Sequence, residues 1–200
     1  MRIIFATGNK DKMREIREIM ADTASEIVSM KDAGVFVDAD ENGDTFEKNA
    51  LIKARAVYEK LIQNGENSDT IVMADDSGLE VDYLNKEPGI YSARYMGKET
   101  SYEVKNNNII SRLKGVPDSK RTARFVCAIA AILPDGKELT VRGEMNGIIG
   151  YEIAGANGFG YDPIFFLPQY GKTSAELSEE EKNAISHRGN ALRKMKEELQ

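Results

Sequence analysis

Residues Ile71-Val72-Met73-Ala74 form an unbroken apolar run that leads directly into Asp75-Asp76-Ser77-Gly78, and this junction constrains the fold more than any other stretch. A short apolar run of this kind reads as a buried strand, and strand ends are where α/β proteins place their chemistry. Two adjacent carboxylates repel unless a proton or a cation lies between them, and Mg2+ takes hard oxygen ligands. The junction therefore reads either as a metal site or as a turn, because Asp, Ser and Gly also favour turns through local hydrogen bonds and backbone freedom.

On either side the chain alternates strand and helix patterns. Arg2 to Ala6 reads as a first strand, and Met13, Ile16, Ile19 and Met20 recur at helical spacing, so Thr7-Gly8-Asn9-Lys10-Asp11-Lys12 is the connecting loop. A strand, a glycine turn and a helix start make an anion seat, with free N–H groups, close backbone approach at Gly8 and the charge of Lys12. The loop lacks the glycines and the Gly-Lys-Ser/Thr ending of a Walker A motif, and an ordinary capped helix start is the competing reading.

Asp44-Thr45-Phe46-Glu47 has capping-box spacing, and Phe46, Ala50, Ala54, Val57 and Leu61 share one face, which predicts a helix over 45–62. Glu47 reads as the cap partner. Asn49 and Lys53 are four apart on another face and can reach one ligand, although a lysine at such a position is by default solvated. Just upstream, Asp38, Asp40 and Glu41 form an acidic loop that could place a carboxylate opposite Asp76.

Beyond the acidic junction, residues 79–84 alternate like a half-exposed strand, Pro88-Gly89 opens a loop that runs to Tyr95, and a helix follows over 102–114. The stretch 125–133, the turn Pro134-Asp135-Gly136 and the run 138–144 read as a long hairpin, which makes the sheet mixed. Gly155, Gly158 and Gly160 surround Phe159 and Tyr161, a composition suited to backbone that bends closely around a flat ligand or to a tight structural loop. Two more capping boxes, Thr173 to Glu176 and Ser178 to Glu181, precede a last helix with Leu192, Met195 and Leu199 inward. That helix opens on His187 and Arg188, a poor place for buried cations unless an anion is bound there.

Two hundred residues with 41% hydrophobic content supply one good-sized core, so a single domain over 1–200 with room for two lobes is expected. The net charge of −6 argues against general attraction to nucleic acid or an anionic membrane, so any phosphate must be held by a local cluster. The first residues form an apolar run too short for a signal peptide, and no run approaches the ~20 residues of a membrane span, so a cytoplasmic protein with no membrane partner is expected. Cys127 is the only cysteine; it lies within an apolar strand-like stretch and reads as a small core residue, and no disulfide can form within the chain.

The motifs Thr7-Gly8-Asn9-x-x-Lys12, Ala74-Asp75-Asp76-Ser77-Gly78-Leu79, Pro88-Gly89-Ile90-Tyr91-Ser92-Ala93-Arg94, Gly158-Phe159-Gly160-Tyr161-Asp162-Pro163 and Ser186-His187-Arg188 occur in this order. Together they give the chain, over its whole length, a resemblance to the inosine/xanthosine triphosphate pyrophosphatases of the Ham1 type. The resemblance implies an α/β fold, elongated and two-lobed, with a long twisted mixed β-sheet flanked by helices, an active site in the cleft between lobes and a homodimer. It implies Mg2+-dependent hydrolysis of ITP, dITP and XTP to the monophosphate and pyrophosphate, which cleanses the nucleotide pool. It also implies roles. Thr7, Gly8, Asn9, Lys10, Asp11 and Lys12 would hold the triphosphate, with Lys53 as a further substrate ligand. Asp76 would bind metal and orient or deprotonate the attacking water, with Ser77 touching substrate. Phe159, Gly160, Tyr161 and Asp162 would wall the base pocket, and Lys182, His187 and Arg188 would complete base and phosphate recognition. For the metal, Asp76 and Asp75 would be joined by Asp40 or Glu41: the family places a glutamate in the acidic loop, Asp40 fits its register better, and both are kept.

Phosphoryl and nucleotidyl transfer rest on positioning and charge neutralisation, and carboxylates, cations and backbone N–H donors are all present. Preference for hypoxanthine or xanthine over adenine would come from donors aimed at the 6-oxo group, with His187, Arg188 and the glycine-loop N–H groups as candidates. Two other classes fit the residues: a pyrophosphatase acting on other modified or standard nucleoside triphosphates, and a nucleotide-binding protein without turnover.

Overall fold

Among the described residues seven strands form one mixed sheet: β1 (Arg2–Phe5), β2 (Glu26–Ser29), β3 (Thr70–Val81), β4 (Thr122–Ile132), β5 (Glu138–Ile149), β6 (Phe165–Leu167) and β7 (Lys172–Thr173), in the spatial order β2-β1-β3-β4-β5-β6-β7. The structure is a computed structural model and describes residues 2–23, 25–66 and 69–200. Pairing is parallel between β1 and both β2 and β3, and antiparallel from β5 to β6 and from β6 to β7, so the sheet is mixed as expected. The chain divides into two compact units: Met1–Asp76 with Cys127–Gly143 and Arg188–Gln200, and Ser77–Val126 with Glu144–His187.

In the first unit, side chains alternate between the two faces of each strand. The odd-numbered Ile3, Phe5, Ile71, Met73, Cys127, Ile129 and Ala131 pack with Met13, Ile16 and Met20 of α1 (Lys10–Ile19) and with Ala191, Leu192 and Met195 of α5 (His187–Glu198). The even-numbered Ile4, Val72 and Ala74 are equally buried. Helix α2 (Phe46–Asn64) buries Phe46, Ala50, Ala54, Val57 and Leu61, the face that its spacing predicts, and ends on Gly65 in the left-handed region. Its N-cap is Thr45, whose hydroxyl accepts the Lys48 N–H at 3.1 Å. Glu47, expected as the cap partner, instead accepts from Arg142 Nη1 at 3.2 Å.

The second unit is built around Leu79, Val81, Ile109, Leu113, Phe125, Met145, Ile149, Tyr161, Ile164, Phe165 and Leu167, with α3 (Tyr102–Arg112) and α4 (Glu179–Ile185). Arg121 is fully buried yet carries no ion pair among the described residues; it donates to three main-chain carbonyls, Ile149 at 2.7 Å, Leu113 at 2.8 Å and Gly150 at 2.6 Å. Both expected capping boxes are formed, Thr173 with Glu176 and Ser178 with Glu181.

Two expectations change. The strand entering Asp75 and Asp76 does not end there: β3 continues unbroken to Val81. β3 keeps its place in the sheet through Ser77 and Gly78, and that overrides their preference for a turn. Residues 79–81 are accordingly buried on both faces, not half-exposed, and Asp82–Leu84 is a 3-10 turn. Helix α1 also starts earlier than the loop reading placed it, at Lys10, because Asn9 caps it. No helix among the described residues is long and apolar enough to cross a membrane.

Candidate active site

The register of β1 on β3 ends at Phe5 opposite Met73, so β3 loses that neighbour just before the two aspartates. Successive residues of a strand point to opposite faces, and the two carboxylates have separate partners. Asp75, on the α1 and α5 face, is fully buried. It accepts from Lys12 Nζ, from Arg188 Nε at 3.2 Å and Nη2 at 3.1 Å, and from the Cys127 thiol at 3.2 Å. Arg188 Nη1 in turn donates to Glu15. Burial alone would raise the Asp75 pKa, but Lys12, Arg188 and Lys53 hold it well below the carboxylate range. Burial works against the Arg188 charge, and Asp75 and Glu15 more than offset it. The anion expected at the start of α5 is thus the protein's own. Burial, reinforced by Asp75, pushes the Cys127 thiol well up.

Asp76 looks the other way. Its Oδ1 lies 3.2 Å from Lys53 Nζ, and the same ammonium lies 3.0 Å from Glu41 Oε2. Its Oδ2 is buried and has no hydrogen-bond partner among the described residues. Burial raises the Asp76 pKa; Lys53 and Lys12 oppose this, Glu41 and Asp75 add to it, and the net shift is upward. For Lys53, burial disfavours the charge, but Asp76, Asp75 and Glu41 outweigh it and its pKa rises. Asp40 is exposed, with Asn42 Nδ2 3.4 Å from its carboxylate, so of the two acidic-loop candidates it is Glu41 that meets Lys53.

At the β1–α1 connection, Thr7 Oγ1 accepts the Asn9 N–H at 3.2 Å, and Asn9 Oδ1 accepts those of Asp11 and Lys12 at 2.9 and 3.1 Å. Lys10 is exposed and Asp11 half-buried. A Cβ at Gly8 would meet nothing within 4 Å, so neither packing nor a left-handed backbone demands glycine there.

In the second unit Asp162 is the hub. Its Oδ2 accepts from Lys182 Nζ at 2.6 Å and from the Phe159 N–H at 2.9 Å, and its Oδ1 accepts from Ser174 Oγ at 2.8 Å. The Lys182 ammonium stands 5.3 Å from the centre of the half-buried Phe159 ring. The Gly160 carbonyl accepts from Asn106 Nδ2 at 3.1 Å, and the buried Tyr161 hydroxyl donates to the Ser92 carbonyl at 2.8 Å. Ser77 is half-buried in β3, and His187 stacks on Phe125 with 4.9 Å between ring centres.

The Ham1 family model matches residues 3–198. This chain belongs to the Ham1 family. The dITP/XTP pyrophosphatase of Clostridium perfringens is 48% identical over 198 residues, 99% of this chain and 97% of that protein. That of Caldanaerobacter subterraneus is 47% identical over 197 residues, 98% of this chain and 95% of the relative. Among solved structures, the Staphylococcus aureus Ham1 protein superposes with a TM-score of 0.85 at 39% identity, covering 100% of this chain and 98% of that one. A HAM1 protein from Coxiella burnetii gives 0.86 at 37%, with the same coverage.

In this Ham1 chain the sequence-level candidates therefore fall into three groups: Lys12, Asp75 and Arg188; Glu41, Lys53 and Asp76; and Phe159, Asp162 and Lys182. Sequence reasoning passed over Glu15, Ser174 and Asn106. Only Glu15 carries a local signal, a charge at a buried position between Met13 and Ile16. Among the described residues no three His, Cys, Asp or Glu side chains converge to hold a metal unaided. Mg2+ is commonly held by one or two carboxylates, with water and substrate phosphate completing its shell. Glu41 and Asp76 suit that arrangement, because they already flank one cationic atom and Asp76 keeps an open oxygen.

Proposed function

We propose that this protein hydrolyses non-standard purine nucleoside triphosphates, dITP, ITP and XTP, at the bond between the α and β phosphates, releasing the monophosphate and pyrophosphate. The observation that carries the reading is Asp76: a buried carboxylate with one oxygen on Lys53 and the other open, in a chain nearly half identical to dITP/XTP pyrophosphatases over its length. Its raised pKa makes it a better proton acceptor than a solvated aspartate at neutral pH, as a base for an attacking water requires.

Position supports the remaining roles. The positive end of α1, whose first N–H groups Asn9 already caps, acts with Lys12 and Lys53 to neutralise the phosphates, and the bare Gly8 leaves room for them to approach the backbone. Asp75 aligns Lys12 and Arg188 by ion pairs, so Arg188 serves the phosphate group through Asp75. Glu41 and Asp76 are the proposed Mg2+ ligands; when bound, the ion would draw charge from the phosphate oxygens and favour pyrophosphate as leaving group. Phe159 offers a face for purine stacking, and Asp162 with Lys182 fixes the glycine loop whose N–H groups, with His187, read the 6-oxo edge. The same proposal takes the protein to be a cytoplasmic homodimer that clears aberrant purines from the precursor pool.

The test is product analysis of the purified protein with ITP, XTP, dITP, GTP and ATP, with and without Mg2+, reading pyrophosphate and orthophosphate separately. Mg2+-dependent pyrophosphate release from ITP and XTP with little from ATP is expected. Orthophosphate as first product would reassign the bond cleaved, and binding without turnover would overturn the enzyme reading.

A further inference from the structure

Asn49 sits one turn before Lys53 on α2 and is almost fully buried. Its Oδ1 accepts the main-chain N–H of Gly43 at 2.8 Å, and Gly43 lies two residues beyond Glu41. The acidic loop thus crosses α2 at two successive turns, Gly43 on Asn49 and Glu41 on Lys53. The crossing is so close that a Cβ on Gly43 would lie 2.7 Å from Asn49 Oδ1, 2.9 Å from Lys48 Cβ and 3.1 Å from Asn49 N. Gly43 does not have a left-handed φ, so proximity, and not backbone conformation, requires glycine there. Asn49 Nδ2, by contrast, is buried with no hydrogen-bond partner among the described residues. A half-satisfied amide is an expensive occupant of a buried helix position that an apolar side chain could fill. Stability does not account for it, and the loop that its other end holds does.

We propose that Asn49, with Gly43, is the positioning element that holds the acidic loop on α2, and so sets Glu41 at the distance from Lys53 and Asp76 at which the pair can take a divalent cation. This rests on the proposed roles of Glu41 and Asp76. Asn49 acts through the loop and touches no reacting atom.

Two variants open the same contact from opposite sides. Asn49→Ala removes the acceptor, and Gly43→Ala forces the loop off the helix without deleting any polar group. Two readouts are needed: hydrogen exchange at the residue 43 amide without nucleotide or metal, and the Mg2+ concentration for half-maximal pyrophosphate release from ITP. In each variant the residue 43 amide should exchange about tenfold faster, as for the loss of one net hydrogen bond, and the Mg2+ midpoint should rise severalfold while kcat at saturating Mg2+ stays within about threefold. The double variant should be no worse than the more affected single one, because both remove one contact. Unchanged exchange in Asn49→Ala overturns the clamp. Faster exchange with an unmoved Mg2+ midpoint overturns the positioning role and leaves the pyrophosphatase reading intact. A wild-type protein that releases no pyrophosphate overturns both. If Asn49→Ala does not fold, Gly43→Ala, a change in a loop, decides alone.

Discussion

Lys53 Nζ stands between Asp76 Oδ1 at 3.2 Å and Glu41 Oε2 at 3.0 Å, and so binds the middle of β3 to a loop that precedes α2. The ammonium neutralises only part of the negative charge near it: the Asp76 pKa remains raised, and its second oxygen has no partner among the described residues. That combination is costly to folding and useful to catalysis, and the two consequences can be separated.

Asp76→Asn should lower turnover by about 10^2–10^4-fold, the usual worth of a positioned base, with more lost if metal binding fails as well. The thermal midpoint at pH 7 should not fall. A carboxyl whose folded pKa is raised favours the fold most below the unfolded value near 3.9 and subtracts stability as pH rises through the folded value, a cost that asparagine lacks. The acid limb of kcat/KM for wild type should accordingly lie above that of a solvated aspartate. Differential scanning calorimetry and a pH–rate profile measure both effects, and wild-type turnover in the variant would remove Asp76 from its assigned role.

Asp75 should behave oppositely. Its depressed pKa contributes stability that is present above the unfolded value of about 3.9 and is lost as pH falls below that value toward the folded one. Asp75→Asn leaves Arg188 and Lys12 short of a buried anion and should cost about 3–5 kcal/mol, and Arg188→Ala should cost a similar amount by removing the buried guanidinium that Asp75 and Glu15 share. In urea unfolding followed from pH 5 to 3, Asp75→Asn should lose stability less steeply than wild type. Equal slopes would show that Asp75 is not the ionised anchor of this cluster.

How far these roles could be read in advance depended on sequence distance. The α2 stripe of Phe46, Ala50, Ala54, Val57 and Leu61, and the capping boxes at Thr173 and Ser178, were legible because each is settled within a few residues of chain. The opening of α5 on His187 and Arg188 suggested a bound anion, whereas the carboxylates that meet Arg188 are the protein's own, 113 residues away in Asp75 and 173 away in Glu15. The continuation of β3 through Ser77 and Gly78 was not legible, because local turn preference opposed it and only pairing with neighbouring strands decides it. The choice of Glu41 at Lys53 was open for the same reason: both acidic side chains are close in sequence, and the Gly43 contact with Asn49 selects one.

Cys127 should be unreactive in the native protein. Its thiol is buried, donates to Asp75 and has a strongly raised pKa, so the nucleophilic thiolate is absent near neutral pH. Labelling by 5,5′-dithiobis(2-nitrobenzoate) should follow global unfolding, with rapid labelling only in denaturant. Fast reaction of the folded protein would show that this face of β4 opens independently.

Gly158 offers a way to disturb the glycine loop without deleting a functional group. Its φ is +73°, and a Cβ there would fall 2.2 Å from Asp162 Oδ2 and 3.0 Å from Lys182 Nζ, so alanine must push the carboxylate off the Phe159 N–H or break its bond to Lys182. The left-handed backbone adds about 1–2 kcal/mol of strain for a residue with a side chain. Gly158→Ala should therefore lower kcat/KM for ITP by at least tenfold and narrow its margin over ATP, because the displaced loop no longer aims its N–H donors at the 6-oxo edge. The Mg2+ dependence should stay as in wild type, since Glu41, Lys53 and Asp76 are untouched. A parallel fall for ITP and ATP with the margin preserved would move base discrimination away from this loop and onto His187.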